Sequence, residues 1–204
     1  MSPKASSKNS ASELRHKALQ ELRALSVPER QAQSERLQHE LAALFDEWSV
    51  QSVAAFWPLS TEPQISPLLT QFAKRQAHRL LLPRIEGKEM RFVVCRNPGS
   101  DLIRSPLGFL QPSKELPVAG DPPQLFLVPG LLFGPKGERI GRGGGYYDRY
   151  FGTFSKELLE IPRIGIAFTA QYSALPLPQE HHDIPVHFIL TAQGIRPLAS
   201  KRTI

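Results

Sequence analysis

The sequence of 204 residues holds a single cysteine, Cys95, so no disulfide can form within the chain. That excludes a secreted disulfide framework and any zinc site built on cysteine pairs. Cys95 ends the run Phe92-Val93-Val94-Cys95, which reads as buried strand rather than nucleophile. No apolar stretch reaches the ~18 residues of a membrane span, or even the apolar centre of a signal peptide. GxxxxGK[ST] is absent, and Gly141-x-Gly143 lacks the third glycine of GxGxxG because position 146 is Tyr. P-loop and dinucleotide-fold readings fall with them. His181 and His182 have no further His or Cys at metal spacing and read as surface residues, and no internal repeat is found.

What is present belongs to a soluble globular chain: 41% hydrophobic and 22% charged residues, with 19 prolines. The formal charge of +6 is unevenly spread. Lys4, Lys8, Arg15, Lys17 and Arg23 outweigh Glu13 and Glu21 at one end; Arg196, Lys201 and Arg202 face no acid at the other; residues 26–190 balance 17 bases with 17 acids. A neutral middle argues against a nucleic-acid-binding face, which concentrates its bases where phosphate docks. We expect a cytoplasmic protein with a short mobile start over residues 1–11 and a single domain over residues 12–204.

Periodicity divides the chain into helices and strands. Ser10 with Glu13 and Ser26 with Glu29 have capping-box spacing, predicting helices from about Ser12 to Leu25 and from Ser26 to about Trp48, together an αα-hairpin. Strands are expected at Val50–Trp57, at His78–Leu82 stopped by Pro83, at Met90–Cys95, Gln124–Val128, Ile164–Phe168 and Val186–Leu190. Helices are expected from Ser66-Pro67 and over Tyr146 to about Leu159. Between Asn97 and Pro123 the pattern dissolves into prolines and glycines, a functional or loose loop. The result is an α/β fold of three layers (α/β/α), with helices on both faces of a mostly parallel or mixed sheet of roughly six strands.

The most informative stretch runs from Pro129 to Arg149 and includes Arg139-Ile140-Gly141-Arg142-Gly143-Gly144-Gly145-Tyr146-Tyr147-Asp148. It follows a strand and opens a helix, so its glycines can wrap backbone N–H groups around an anion while the arginines supply fixed charge. Phosphate suits such a loop. A flexible glycine hairpin and an Arg-Gly-Gly RNA-binding segment are the alternatives. Asp148 and Asp183 are candidate Mg²⁺ ligands, because Mg²⁺ at nucleotides needs only one or two protein carboxylates. Glu62, after the first strand, could pair with a flat nitrogen-rich heterocycle packed on Trp57.

These residues resemble the 5-formyltetrahydrofolate cyclo-ligase (methenyltetrahydrofolate synthetase) family. The resemblance rests on Val128-Pro-Gly-Leu-Leu-Phe and on Gly137-Glu-Arg-Ile-Gly-Arg-Gly-Gly-Gly-Tyr-Tyr-Asp-Arg149. Leu14-Arg15, Arg23-Ala-Leu-Ser26, Phe56-Trp57, Leu82-Pro83-Arg84, Gln171, Pro178 and Asp183 follow in the same order. It implies a fold like that of ribose-phosphate isomerase and the CoA-transferases. The implied reaction is an ATP-dependent ring closure of 5-formyltetrahydrofolate to 5,10-methenyltetrahydrofolate through an iminium phosphate, releasing ADP and phosphate. It implies further that Arg15, Arg139, Ile140, Gly141, Arg142, Gly143, Gly144, Gly145, Tyr146 and Tyr147 bind ATP. Arg142 and Tyr147 would serve catalysis, Trp57, Glu62, Gly145 and Tyr146 the folate, and Asp148 and Asp183 Mg²⁺. The expected partners are ATP and folate, with no nucleic acid, no membrane and a monomeric chain. One position departs: where the family usually carries a lysine four residues before the Leu-Arg arginine, this chain has Ala11. A paralogue acting on another formylated or carboxylated metabolite is the alternative that this departure leaves open.

Overall fold

The computed structural model describes residues 4–198, with side chains from residue 11 onward. The expected mobile start and the charges of Lys201 and Arg202 therefore lie wholly or partly outside the described residues. Helix α1 spans Lys4–Ala24, beginning well before the expected Ser12, so the Ser10/Glu13 spacing marks no helix start. Helix α2 (Val27–Glu47) begins as predicted. The Ser26 hydroxyl accepts the Glu29 N–H, the Glu29 carboxylate accepts the Ser26 N–H, and Pro28 sits in the first turn.

After α2 come β1 (Ser52–Ala54), α3 (Ser66–Lys74), β2 (Arg79–Glu86) and β3 (Glu89–Val94). Next are a helical turn, α4 (Pro98–Asp101), the small antiparallel pair β4 (Leu102–Arg104) and β5 (Leu110–Pro112), and β6 (Leu125–Pro129). A second small pair, β7 (Leu132–Phe133) and β8 (Arg139–Ile140), leads to α5 (Tyr146–Phe151), β9 (Arg163–Ile166), β10 (Phe188–Thr191) and β11 (Gly194–Pro197). The central sheet has seven strands rather than six, in the order β11-β10-β9-β6-β1-β2-β3, with the two outer strands antiparallel to their neighbours. The extra strand is β11, folded back on β10 through a turn at Gly194.

Alternation in the strands builds two cores. Val53, Leu80, Leu82, Leu125, Leu127 and Ile164 face α2 and α3, which supply Leu37, Leu41, Phe45, Leu69 and Phe72. Ala54, Leu81, Phe126 and Val128 face the other way, onto Phe133, Phe151 and the α5 tyrosines. This is the expected three-layer α/β/α arrangement.

Helix α1 belongs to neither face. It packs against β7, β8 and the turn at Thr169–Gln171, all beyond the carboxyl ends of the parallel strands, through Ala18, Leu22, Leu131 and Phe168. The two amino-terminal helices thus part company: α1 lies across the sheet edge, while α2 packs against β10 and β11.

Three expectations need correction. Pro83 does not stop its strand, because β1 ends opposite Leu81 and the proline has the same edge orientation as Leu81, whose carbonyl accepts the Ala55 N–H. Its missing donor therefore points where no strand is paired, the one setting that tolerates proline in a ladder. Two residues on, the Gln111 side-chain carbonyl accepts the Ile85 N–H at 3.0 Å in place of a strand. Second, residues 97–123 are a tied structure rather than a loose loop. The Asp101 carboxylate accepts the N–H groups of Arg96 and Asn97, and the buried Arg84 guanidinium donates to the carbonyls of Ser113 and Leu116. Third, the helix from Tyr146 ends at Phe151, where Gly152 closes it, and only one 3₁₀ turn follows at Leu158–Glu160.

Leu22 is 1% exposed in the small cluster that seats α1. Leu22→Ala is expected to cost about 2–5 kcal/mol, read by urea unfolding, with amide exchange rising in α1 before it rises in β6.

Candidate active site

The carboxyl edge of the parallel strands holds a cavity of about 340 Å³, the site at which α/β sheets take their ligands. Three chain segments build its polar wall. The turn after β1 delivers Glu62; the β7–β8 hairpin delivers Arg139 and the glycine run; and the segment before β10 delivers Asp183. Arg15 enters from α1.

The glycine run is held at its root by one ion pair. Arg139 precedes it and Asp148 follows it, and Arg139 Nη2 lies 2.9 Å from both carboxylate oxygens, with side chains 7% and 17% exposed. Gly143 and Gly145 sit at φ +96° and +64°, left-handed conformations that a Cβ would strain. From the side, Arg15 Nε donates to the Gly141 carbonyl at 3.0 Å. Arg149 donates to the Lys88 carbonyl and lies over the Tyr146 ring, so it clamps α5 to the β2–β3 turn and takes no place in the cavity.

Glu62 is 7% exposed; its Oε2 accepts the Leu59 N–H at 2.9 Å and its Oε1 faces Arg142 Nε at 3.4 Å. Burial pushes its carboxyl above the usual carboxylate range, against the opposing pull of Leu59 and Arg142. Arg142 also donates from Nη2 to the Thr61 hydroxyl at 2.6 Å. The Tyr147 phenol is driven upward by burial, reinforced by the nearby Glu62 charge, and stays protonated. Its hydroxyl and Arg139 Nε are buried with no hydrogen-bond partner among the described residues. Orphan donors at one cavity mark where a ligand's acceptors gain most.

Of the residues singled out from sequence, Arg15, Glu62, Arg139, Ile140, Gly141, Arg142, Gly143, Gly144, Gly145, Tyr146, Tyr147, Asp148 and Asp183 all line this cavity. Trp57 does not; it packs, partly buried, against the α2/α3 core. His182 is exposed, as expected of a surface residue, and stands at the cavity rim beside Asp183. Pro83, which stands in the Leu82-Pro83-Arg84 match, forms an apolar side with Ile85 and Met90, which no motif announced and which owe their place to the strand running on past Pro83. Ala11 lines it too, while the Lys8 side chain lies outside the described residues.

No cluster of three or more His, Cys, Asp or Glu side chains suited to a metal occurs among the described residues. Four carboxylates line the cavity, Glu62, Asp148, Glu180 and Asp183, of which the two aspartates are the candidates from sequence. Asp183 accepts the Glu180 N–H through Oδ2 at 2.8 Å, and its segment is anchored by Arg163 Nε on the Pro185 carbonyl at 3.0 Å. Asp148 is shared with Arg139. The donor chemistry fits a Mg²⁺ ion whose remaining ligands come from phosphate and water, and does not fit a resident ion held by protein alone.

The profile of the 5-formyltetrahydrofolate cyclo-ligase family matches residues 7–192. The chain belongs to that family. It is 28% identical over 186 residues to mouse 5-formyltetrahydrofolate cyclo-ligase, covering 87% of this chain and 91% of that one. It is 26% identical over 162 residues to the mitochondrial Arabidopsis thaliana enzyme of the same name, covering 71% of this chain but only 58% of the relative's length. The NMR structure of Aquifex aeolicus 5,10-methenyltetrahydrofolate synthetase superposes with a TM-score of 0.76 at 30% identity, over 95% of each chain. Arg139 and Arg142 are turned onto Asp148 and Glu62 within one cavity.

Two predictions follow from the geometry. Removing one partner of a largely buried pair leaves the other uncompensated, so Arg139→Ala is expected to lower stability by about 3 kcal/mol, measured by urea unfolding, with Asp148→Asn losing less. Glu62 carries a raised carboxyl in the folded state, so its ionisation opposes folding. Wild-type stability should fall relative to Glu62→Gln as pH rises from the ordinary carboxylate range near 4.5 upward, and the two should converge below it. Urea midpoints across that range read the difference, and a gap that closes at higher pH would contradict the burial argument.

Proposed function

We propose that the chain closes the ring of 5-formyltetrahydrofolate to give 5,10-methenyltetrahydrofolate, converting ATP to ADP and phosphate. The observation that carries this reading is the convergence of the clamped glycine run, two arginines and buried Glu62 on one cavity.

The formyl oxygen is a poor leaving group. Transfer of the γ-phosphoryl group to it, breaking the β,γ bond of ATP, gives an iminium phosphate; the anilino nitrogen then attacks the activated carbon and gives up its proton to solvent, and phosphate departs with the oxygen. Little covalent chemistry is left for the protein, which must position two substrates and stabilise charge. Backbone N–H groups of residues 141–145 and the Arg139 and Arg15 guanidiniums would cradle the phosphates. Arg142 would stabilise the transferring phosphoryl group, and the protonated Tyr147 hydroxyl would donate to an oxygen of that group. Glu62 would accept from pterin N–H groups, with Pro83, Ile85 and Met90 against the ring. Mg²⁺ would be held by Asp148 and Asp183, supplying charge neutralisation to the phosphates. Trp57, packed against the α2/α3 core and outside the cavity lining, is given no contact with the pterin in this reading. Every group used lines or borders one cavity of one chain, so the reading needs no nucleic acid, no membrane, no second copy, and sits with a cytoplasmic location.

Ala11 favours one second reading: a paralogue that uses ATP on a different formylated or carboxylated metabolite, because the family's usual lysine is missing from the cavity wall. A single assay separates the two. Methenyltetrahydrofolate absorbance should grow from 5-formyltetrahydrofolate, ATP and Mg²⁺ with one ADP released per product. ADP release without absorbance selects the paralogue, and neither signal rejects both. Arg142→Ala should lower kcat by about 100-fold or more, as expected for loss of a transition-state charge stabiliser. Asp183→Ala should act mainly on the Mg²⁺ and ATP concentrations needed.

A further inference from the structure

In this structure the arginine assigned to the phosphoryl group and the carboxylate assigned to the pterin are bonded to each other. Arg142 Nε faces Glu62 Oε1 at 3.4 Å, and its Nη2 rests on the Thr61 hydroxyl at 2.6 Å, the shorter of the two contacts. Arg142 and Glu62 line the same cavity from segments 80 residues apart. Neither can serve its ligand fully while holding the other.

We propose that Thr61 is a positioning residue that parks Arg142 on Glu62, and that this shared contact makes nucleotide and folate bind with positive coupling. The inference rests on the proposed function for the identity of the two ligands. Folate that engages Glu62 releases Arg142; a nucleotide that engages Arg142 releases Glu62. Whichever binds first breaks the contact, and the second ligand finds its residue already free. If K is the ratio of parked to released protein, each ligand alone binds 1 + K times more weakly than it does in the presence of the other, and linkage makes the factor equal in both directions. ATP that arrives without folate must itself break the contact and so binds more weakly, which limits how much of the enzyme holds ATP without its second substrate.

The turn that presents Thr61 is tied independently of its hydroxyl. The Glu62 N–H donates to the Leu59 carbonyl at 3.0 Å, the Leu59 N–H donates to Glu62 Oε2 at 2.9 Å, and Gln64 Nε2 donates to the carbonyls of Leu59 and Glu62. Thr61→Val therefore removes the parking contact and keeps the turn. The consequence is opposite in sign to structural damage: with less parked protein, each ligand alone binds more tightly and the coupling shrinks.

The test is calorimetric titration of the full chain with 5-formyltetrahydrofolate and with the β,γ-imido analogue of ATP plus Mg²⁺, each alone and each with the other saturating. Wild type should show a coupling of about tenfold, equal in both directions, within the usual range of coupling between sites. In Thr61→Val each single-ligand Kd should fall by about fivefold, the worth of a hydrogen bond to a charged, partly exposed group, and the coupling should fall by the same factor. Thr61→Ser should restore wild-type values. Tight binding of both ligands to wild type without coupling would overturn the inference and leave the proposed function standing, as would a Thr61→Val protein that binds both ligands more weakly with coupling unchanged. Failure of wild type to bind either ligand would instead overturn the proposed function, and the inference with it.

Discussion

The ion pair between Arg139 and Asp148 is the contact on which the site depends. Four of the five residues from Gly141 to Gly145 have no side chain, so the run has nothing of its own with which to choose a shape. Glycine loses more chain entropy on ordering than other residues, and two of these glycines adopt left-handed conformations open to few others. The bridge crosses the run from the residue before Ile140 to the third residue of α5, so a short floppy segment becomes a closed loop with fixed ends. Arg15 then meets a carbonyl, Gly141, that is already in place. Because the pair is largely removed from water, it acts as a clamp that solvent screens weakly.

The same logic recurs along the sheet edge. The segments after β6 and β9 share buried apolar contacts through Leu131 with Phe168 and Phe133 with Ala167, and polar side chains add further ties. Gln171 is 1% exposed; its amide carbonyl accepts the Phe168 N–H and its amide nitrogen donates to the Gly130 carbonyl, joining the segment after β9 to the segment after β6. The Val186 N–H donates to the Gly137 carbonyl, joining the segment before β10 to the β7–β8 turn. Arg163 reaches Pro185 from below. Each tie satisfies a backbone group that the end of a strand leaves without a ladder partner. The cavity is therefore lined by a mesh of hydrogen bonds on top of two apolar layers, and the requirements of the core and of the site separate.

That separation explains what the sequence disclosed. Patterns with a local cause were legible: the Ser26/Glu29 capping box, the apolar run of the strand expected at Gln124–Val128, and the glycine run whose spacing is its own signature. Glu62 was legible as a candidate because it follows a strand end, although its partner Arg142 lies far off in sequence and nothing local links them. Features set by a distant neighbour were hidden. Pro83 reads as a terminator unless one knows that β1 ends opposite Leu81; residues 97–123 read as functional or loose unless one knows that Arg84 and Asp101 hold them; His182 reads correctly as surface, but nothing in its segment, which has no periodicity, says that this surface is the cavity rim. Trp57 fails for the converse reason. Its position after a strand suggested a ligand platform, but the α2/α3 core takes the indole first.

The charge distribution can then be placed. A net +6 concentrated at the ends leaves the body neutral, yet two arginines of that body, Arg139 and Arg142, meet Arg15 of the basic amino-terminal end at one cavity. Their charges are met by different means: Arg139 by a carboxylate with both oxygens engaged, Arg142 by a buried carboxylate at longer range and a hydroxyl, Arg15 by a carbonyl alone. The strength of these contacts falls in that order, because a carboxylate balances charge and a carbonyl supplies only a dipole. An entering polyanion therefore meets graded resistance. It gains Arg15 at almost no loss, gains Arg142 by displacing a carboxylate that its own desolvation has already destabilised, and draws on Arg139 without needing to break the clamp, since Arg139 Nε still has a donor to offer. The arginine that the loop needs for its shape, Arg139, is the one held hardest, and Arg142, to which the proposed reaction gives the transferring phosphoryl group, is held more loosely.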